Sequence, residues 1–169
     1  MKNFNTLKQK IFTKPSTQFK SLLNGALVQD YDAQIEGKDS FKLVTDRTIN
    51  AQETKDLLFA IKAVKHLKSN GISIVANEQL IGMGCGQTSR VDALRQAIAK
   101  AHSFGFDLKG SVMASDAFFL FPDCVEIAAE HGIICVAQPG GSIKDQDSID
   151  ASNQHQLSMV LTGVRHFKH

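Results

Sequence analysis

An excess of charge of either sign is missing from this sequence: Lys+Arg number 19 and Asp+Glu 17, a formal net charge of +2, and the basic residues are scattered. That leaves no electrostatic footprint for a nucleic-acid backbone and excludes nucleic acid as a partner, while local phosphate binding stays open. Cysteine is scarce. Cys85, Cys124 and Cys135 are odd in number, lack C-x-x-C spacing and sit in apolar stretches, the pattern of buried reduced thiols in a cytoplasmic protein. Long apolar runs are also absent: residues 1–20 carry lysines throughout, which excludes a signal peptide, and no later run is long enough to span a bilayer. No repeat or low-complexity segment stands out. What remains is 169 residues, 43% hydrophobic and 21% charged, enough for one globular domain with an unaided core.

Residues 1–20, polar and with Pro15 near their end, are expected to be a flexible arm or linker, leaving residues 21–169 as the domain. The short apolar runs in GALVQDYD, from Gly25, and in FKLVTDR predict edge strands or a ribbon. Asn50 and Glu53 resemble a capping box, and Leu57, Leu58, Ile61, Val64 and Leu67 follow at helical spacing, which predicts a helix over residues 51–68. Residues 72–76 and 80–84, separated by Asn77, Glu78 and Gln79, predict a β-hairpin. Strand and helix then alternate: helix 89–103, strand 111–115, helix 124–131 closed by Gly132, strand 133–137, a polar helix from Asp145 and strand 158–161. The sum is a three-layer α/β domain on a mixed sheet with one hairpin.

In such a sheet, ligands bind beyond the carboxyl ends of the parallel strands, where loops present backbone N–H groups and helix N-termini. The loops expected there, GCGQTSR, DAFFLFPD, QPGGSIKD and TGVRHFKH, hold nearly all the unusual residues. The hairpin adds Asn70, since an antiparallel turn places the start of its first strand beside Gly84 to Gly86. Each feature has two readings. Gly82, Gly84 and Gly86 serve either close packing or a ligand turn; Phe118, Phe119 and Phe121 either fill the core or stack on a ligand. Asp123 reads as a helix N-cap, and Pro139-Gly140-Gly141-Ser142 as a turn or an anion cradle. Arg165, Lys168 and His169 near the ligand edge favour an anion. Lys65-His66 reads as a solvated pair. The H-x-E and P-C-x-x-C ligands of zinc deaminases, which share this alternating layout, are absent, so no catalytic zinc is expected. There is also no G-x-S-x-G elbow and no cysteine with a basic sequence neighbour.

Taken together, LLFAIKAVKHLKSN, GMGCGQTSRVDALR, GSVMASDAFFLFPD, AQPGGSIKD and TGVRHFKH resemble, in order, the carboxyl-terminal part of the AICAR transformylase family. With VQDYD the resemblance covers the chain from about Gly25 to His169. It implies a cytidine-deaminase-like domain without zinc, and transfer of a formyl group from 10-formyltetrahydrofolate to the amine of AICAR on the way to IMP. It further implies that Asn70, Arg90, Phe118 and Arg165 contact the AICAR nucleotide, with Asn70 also in a catalytic role. Val91, Asp123, Ser142 and Ile143 then fall near the folate, and a monovalent cation near Ser69 and Asp116. The family's Lys-His catalytic pair belongs to a first transformylase subdomain that has no counterpart here, nor has the cyclohydrolase domain. The resemblance therefore implies a half-enzyme that needs that first subdomain, and a homodimer, because the family's sites form where subunits meet. The alternative is a non-catalytic AICAR- or nucleotide-binding or regulatory protein.

Overall fold

The computed structural model describes residues 17–168. The chain divides into a unit that ends at Ala33 and a second that starts at Gln34. The first contains a two-stranded antiparallel ribbon, β1 (Thr17–Leu22) with β2 (Gly25–Asp30), in which Phe19 lies opposite Val28 and Leu22 opposite Gly25. Residues 17–20, placed by the sequence reading in the arm, lie in β1, and the rest of that arm falls outside the described residues.

In the second unit, α1 (Ala51–Lys65) starts at the expected capping box: the Asn50 side chain accepts the Glu53 N–H at 2.9 Å and the Glu53 carboxylate accepts the Asn50 N–H at 3.1 Å. It stops three residues short of the expected end. The backbone of residues 68–70 bonds sideways, with Gly86 N–H on Lys68 O and Asn70 N–H on Gln87 O, so those residues cannot continue the helix. The hairpin pairs β4 (Ile72–Ala76) with β5 (Gln79–Gly84). Its turn has two residues, Asn77 and Glu78, not three: both have positive φ, +53° and +58°, and Gln79 already pairs with Ala76. Paired left-handed residues give the twist that suits a hairpin. Asp56 of α1 accepts the Asn77 and Glu78 N–H groups at 3.1 and 2.6 Å, so the helix holds the turn.

Beyond the hairpin come α2 (Arg90–Ser103), β6 (Val112–Ser115), α3 (Asp123–Glu130), β7 (Cys135–Gln138), α4 (Asp145–Gln154) and β8 (Ser158–Leu161). FKLVTDR contributes β3 (Lys42–Leu43), an edge strand against β8. The six-stranded sheet has the order β3-β8-β7-β6-β4-β5, with β6, β7 and β8 parallel and the other pairings antiparallel. Strand alternation divides the core. Val112, Ala114, Cys135, Ala137 and Val160 face α1 through Leu57, Ala60, Ile61 and Val64, while Met113, Val136 and Met159 join residues of α2, α3 and α4 on the other face. Both faces are covered, which is why these strands are mostly apolar and why the domain has three layers.

Two glycines of GMGCG are settled by packing. A Cβ on Gly82 would lie 2.4 Å from Ala97 O, and one on Gly84 only 1.9 Å from Ala93 O, so α2 rests directly on β5 where side chains are missing.

Candidate functional site

The parallel direction of β6, β7 and β8 gathers their carboxyl ends on one edge, and backbone bonds stitch the loops there together. Thr162 N–H donates to Gln138 O at 2.9 Å, Gly163 N–H to Pro139 O at 3.0 Å, His166 N–H to Asp116 O at 3.0 Å and Ser69 N–H to Lys168 O at 3.0 Å. The convergence expected from the sequence is therefore present, and Asn70 reaches the hairpin end through the Asn70 N–H to Gln87 O bond.

Arg90, the first residue of α2, is the centre of the edge. Ser89 caps this helix by accepting the Asp92 N–H at 3.0 Å. Arg90 Nη2 donates to Asn70 Oδ1 at 2.8 Å and Asp116 Oδ1 at 3.0 Å, and Nη1 to Phe118 O at 3.2 Å. Asp116 is wholly buried and the Arg90 side chain 14% exposed. Burial pushes the Arg90 pKa below its ordinary value, and the Asp116 carboxylate opposes that shift. Asn70 Nδ2 donates one hydrogen to Gln87 O at 3.0 Å. Its other amide hydrogen makes no hydrogen bond among the described residues. Two atoms of the cluster, Asp116 Oδ2 and Arg90 Nε, are buried with no hydrogen-bond partner among the described residues.

A cleft of about 260 Å³ opens beside this cluster, bordered by Asn70, Arg90, Val91, Asp123, Leu120 and Phe121, with Cys124 at its wall. The three phenylalanines divide: Phe119 is core, its N–H held by Gln138 Oε1 at 2.8 Å, Phe121 is half-exposed with the Lys144 ammonium 4.5 Å from its ring centre, and Phe118 is half-buried. Arg165 is exposed and lies 5.8 Å from the Phe118 ring centre and 4.3 Å from that of Phe167, a cation backed by aromatic faces.

Not every expected residue is brought to the cleft. Phe118, Arg165, Ser142 and Ile143 do not border it: Ser142 Oγ accepts the Lys144 N–H at 3.1 Å, and Ile143 is fully exposed. Asp123 is not the N-cap of α3. Pro122 holds that position, and Asp123, already in the helix, accepts the Cys124 N–H at 2.8 Å. Pro139-Gly140-Gly141-Ser142 is a turn, with φ of +72° and +94° at its glycines and the Gly141 N–H donated to the Asp145 carboxylate at 2.7 Å. That leaves no vacant anion cradle of the expected kind. Burial, aided by Asp123, pushes the Cys124 thiol up to about 12, and burial does the same to Cys135, so neither is a ready nucleophile. His169 lies outside the described residues. Sequence reasoning missed the Arg90–Asp116 pair and the anchoring role of Gln138, whose one signal is a polar residue at the end of a buried strand.

Among the described residues, no helix is long and apolar enough to cross a membrane, and no three His, Cys, Asp or Glu side chains cluster as a metal site requires. Fold and cleft together define a mixed-sheet α/β domain with an arginine-centred cleft at the carboxyl ends of its parallel strands. The AICARFT/IMPCHase bienzyme family matches residues 1–100, and the chain belongs to that family. It is 56% identical to the bifunctional purine biosynthesis protein PurH of Bacteroides thetaiotaomicron, over 99% of this chain and 33% of that protein. It is 49% identical to the PurH of Persephonella marina, again over 99% and 33%. The chain thus spans about a third of the length of these relatives. Among solved structures, the dCMP deaminase of cyanophage S-TIM5 aligns at a TM-score of 0.47 and 17% identity, over 66% of this chain and 98% of that one.

Proposed function

We propose that this chain forms the carboxyl-terminal half of an AICAR transformylase site, binding the AICAR ribonucleotide and 10-formyltetrahydrofolate and completed by a first transformylase subdomain. The observation that carries this reading is the Arg90 cluster, which fastens Asn70, Asp116 and the Phe118 loop beside a cleft, with the exposed Arg165 5.8 Å from the Phe118 ring centre. Arg165 meets the phosphate, Phe118 supplies an apolar wall, and Val91 and Asp123 mark the folate end; Ser142 and Ile143, outside the cleft, reach the folate only on this reading.

In the reaction the AICAR amine attacks the formyl carbon, the bond from that carbon to N10 of the folate breaks, and the amine proton ends on N10. In this reading the second Asn70 Nδ2 hydrogen donates to the oxygen that gains charge in the tetrahedral state. The base for the amine proton comes from the first subdomain. Asp116 Oδ2, buried and unpartnered, is an oxygen that fits the monovalent cation; Ser69 Oγ already accepts the Lys168 N–H at 2.8 Å. Self-association belongs to this reading, and a strictly monomeric species in light scattering at high concentration would count against it.

The test is a calorimetric titration with AICAR monophosphate and with its nucleoside, each with and without a folate analogue. Binding that requires the phosphate supports the reading. Equal binding of the two removes Arg165 from the role given to it, and no binding even after addition of the first subdomain refutes the proposal.

A further inference from the structure

The strap that leaves β8 as residues 162–168 carries Arg165, and besides its backbone bonds to the neighbouring loops it has a buried side-chain anchor. Along it exposure alternates: Arg165 is exposed, His166 is buried at 3% and Phe167 is half-buried. His166 Nε2 lies 2.6 Å from Glu36 Oε1, and each of these two side chains is only 2% exposed. Glu36 stands in the 34–40 segment, 130 residues away in sequence, and neither residue borders the cleft. Polar side chains so deeply buried persist in pairs, because removing one leaves the other desolvated and unsatisfied. His166 is buried between the exposed Arg165 and the half-buried Phe167, and the Arg165 guanidinium lies 4.3 Å from the Phe167 ring centre.

We infer that His166 and Glu36 form a latch that positions Arg165 beside Phe118, with His166 and Glu36 acting as positioning residues and not as ligand groups. The functional part of this inference rests on the proposed role of Arg165; the latch itself does not.

The test uses the full chain as Glu36→Gln and as His166→Ala, so that one variant suffices if the other does not fold, together with the conservative His166→Gln. Hydrogen exchange reads the strap: the amides of Gly163, His166 and Lys168 should exchange about tenfold faster in Glu36→Gln or His166→Ala, with those of β6 and β7 unchanged. His166→Gln, which can still hydrogen-bond Glu36, should recover part of the protection. Titration with AICAR monophosphate should show affinity about tenfold weaker and the nucleoside unaffected, and the latch variants should add nothing in an Arg165→Ala background. Unchanged strap exchange overturns the latch. Equal weakening with and without Arg165 overturns its role in positioning that residue. If the parent chain binds monophosphate and nucleoside equally, the role given to Arg165 falls while the exchange result still decides the latch.

Discussion

One methyl group at Gly84 should separate α2 from β5. Its Cβ would lie 1.9 Å from Ala93 O, 2.7 Å from Ala93 C and 3.0 Å from Ala93 Cα, all helix backbone, so no side-chain rotation gives relief. A relaxed carbon–oxygen contact is about 3.3 Å, which requires the helix to recede, or the strand to buckle, by about 1.4 Å. The interface behind that contact includes Ala93, Leu94, Ala97, Ile98 and Ala101, all buried, with Ile72, Ile74 and Ile81. A gap of about 0.5–1 Å already forfeits a quarter to a half of the dispersion well, and overpacked cores lose about 1–3 kcal/mol. Gly84→Ala should therefore cost about 3 kcal/mol, a large part of the roughly 5–15 kcal/mol that holds a domain folded. Arg90 lies one turn before Ala93 on α2, so the same movement pulls its guanidinium off Asn70 and Asp116. Urea unfolding followed by circular dichroism checks this, with Gly82→Ala, whose Cβ meets Ala97 O at 2.4 Å, and Gly25→Ala, whose Cβ meets nothing within 4 Å, as graded comparisons. The losses should rank Gly84, Gly82, Gly25. A Gly84→Ala chain within about 0.5 kcal/mol of the parent, the range of ordinary surface changes, refutes the packing argument.

Arg90→Met should cost about 3–5 kcal/mol, because it leaves the wholly buried Asp116 carboxylate without its cation, and adding Asp116→Asn should recover much of the loss in thermal denaturation. The thiols give a pH test. Cys124 and Cys135 ionise near 12 when folded, against an ordinary 9.0, so their burial stabilises fully below pH 9 and loses its effect as pH rises towards 12. Each contributes a slope of up to about 1.4 kcal/mol per pH unit in that window. Cys135→Ala should accordingly unfold with a shallower decline between pH 9 and 11 than the parent, measured by urea midpoints, and iodoacetamide at neutral pH should label Cys85 ahead of either buried thiol.

What could be read from the sequence follows from which forces are local. The start of α1 was legible because a capping box needs only Asn50 and Glu53, whereas its end is set by Gly86 and Gln87 bonding to residues 68–70 from the far side of the hairpin. The gathering of loops at one edge was legible because parallel strands put their carboxyl ends together whatever the side chains. The glycines of GMGCG were ambiguous in sequence, since packing and ligand turns use the same residue, and the 1.9 Å approach of Ala93 O decided for packing at Gly84. Asp145 likewise turned the Gly140–Gly141 loop into a simple turn by taking the Gly141 N–H. The Arg90–Asp116 and His166–Glu36 pairs span 26 and 130 residues, and no periodicity or motif links such partners.

The two arginines of the site do different work. Arg90 sits among three acceptors in three directions, Phe118 O, Asn70 Oδ1 and Asp116 Oδ1, and its charge is matched by the Asp116 carboxylate 3.0 Å away. An entering dianion gains little from a cation so balanced, and both hydrogens of Nη2 are committed. Arg165 is exposed and stacked on two rings. On the proposed reading, Arg165 therefore supplies the charge and Arg90 the geometry. A lysine at position 165 keeps a positive charge over the aromatic faces, but a lysine at position 90 replaces a planar fork by a single ammonium that cannot span all three acceptors while completing the wall of the cleft. The two substitutions are alike on paper and should part company in the titration, with phosphate-dependent binding surviving in weakened form at 165 and failing at 90.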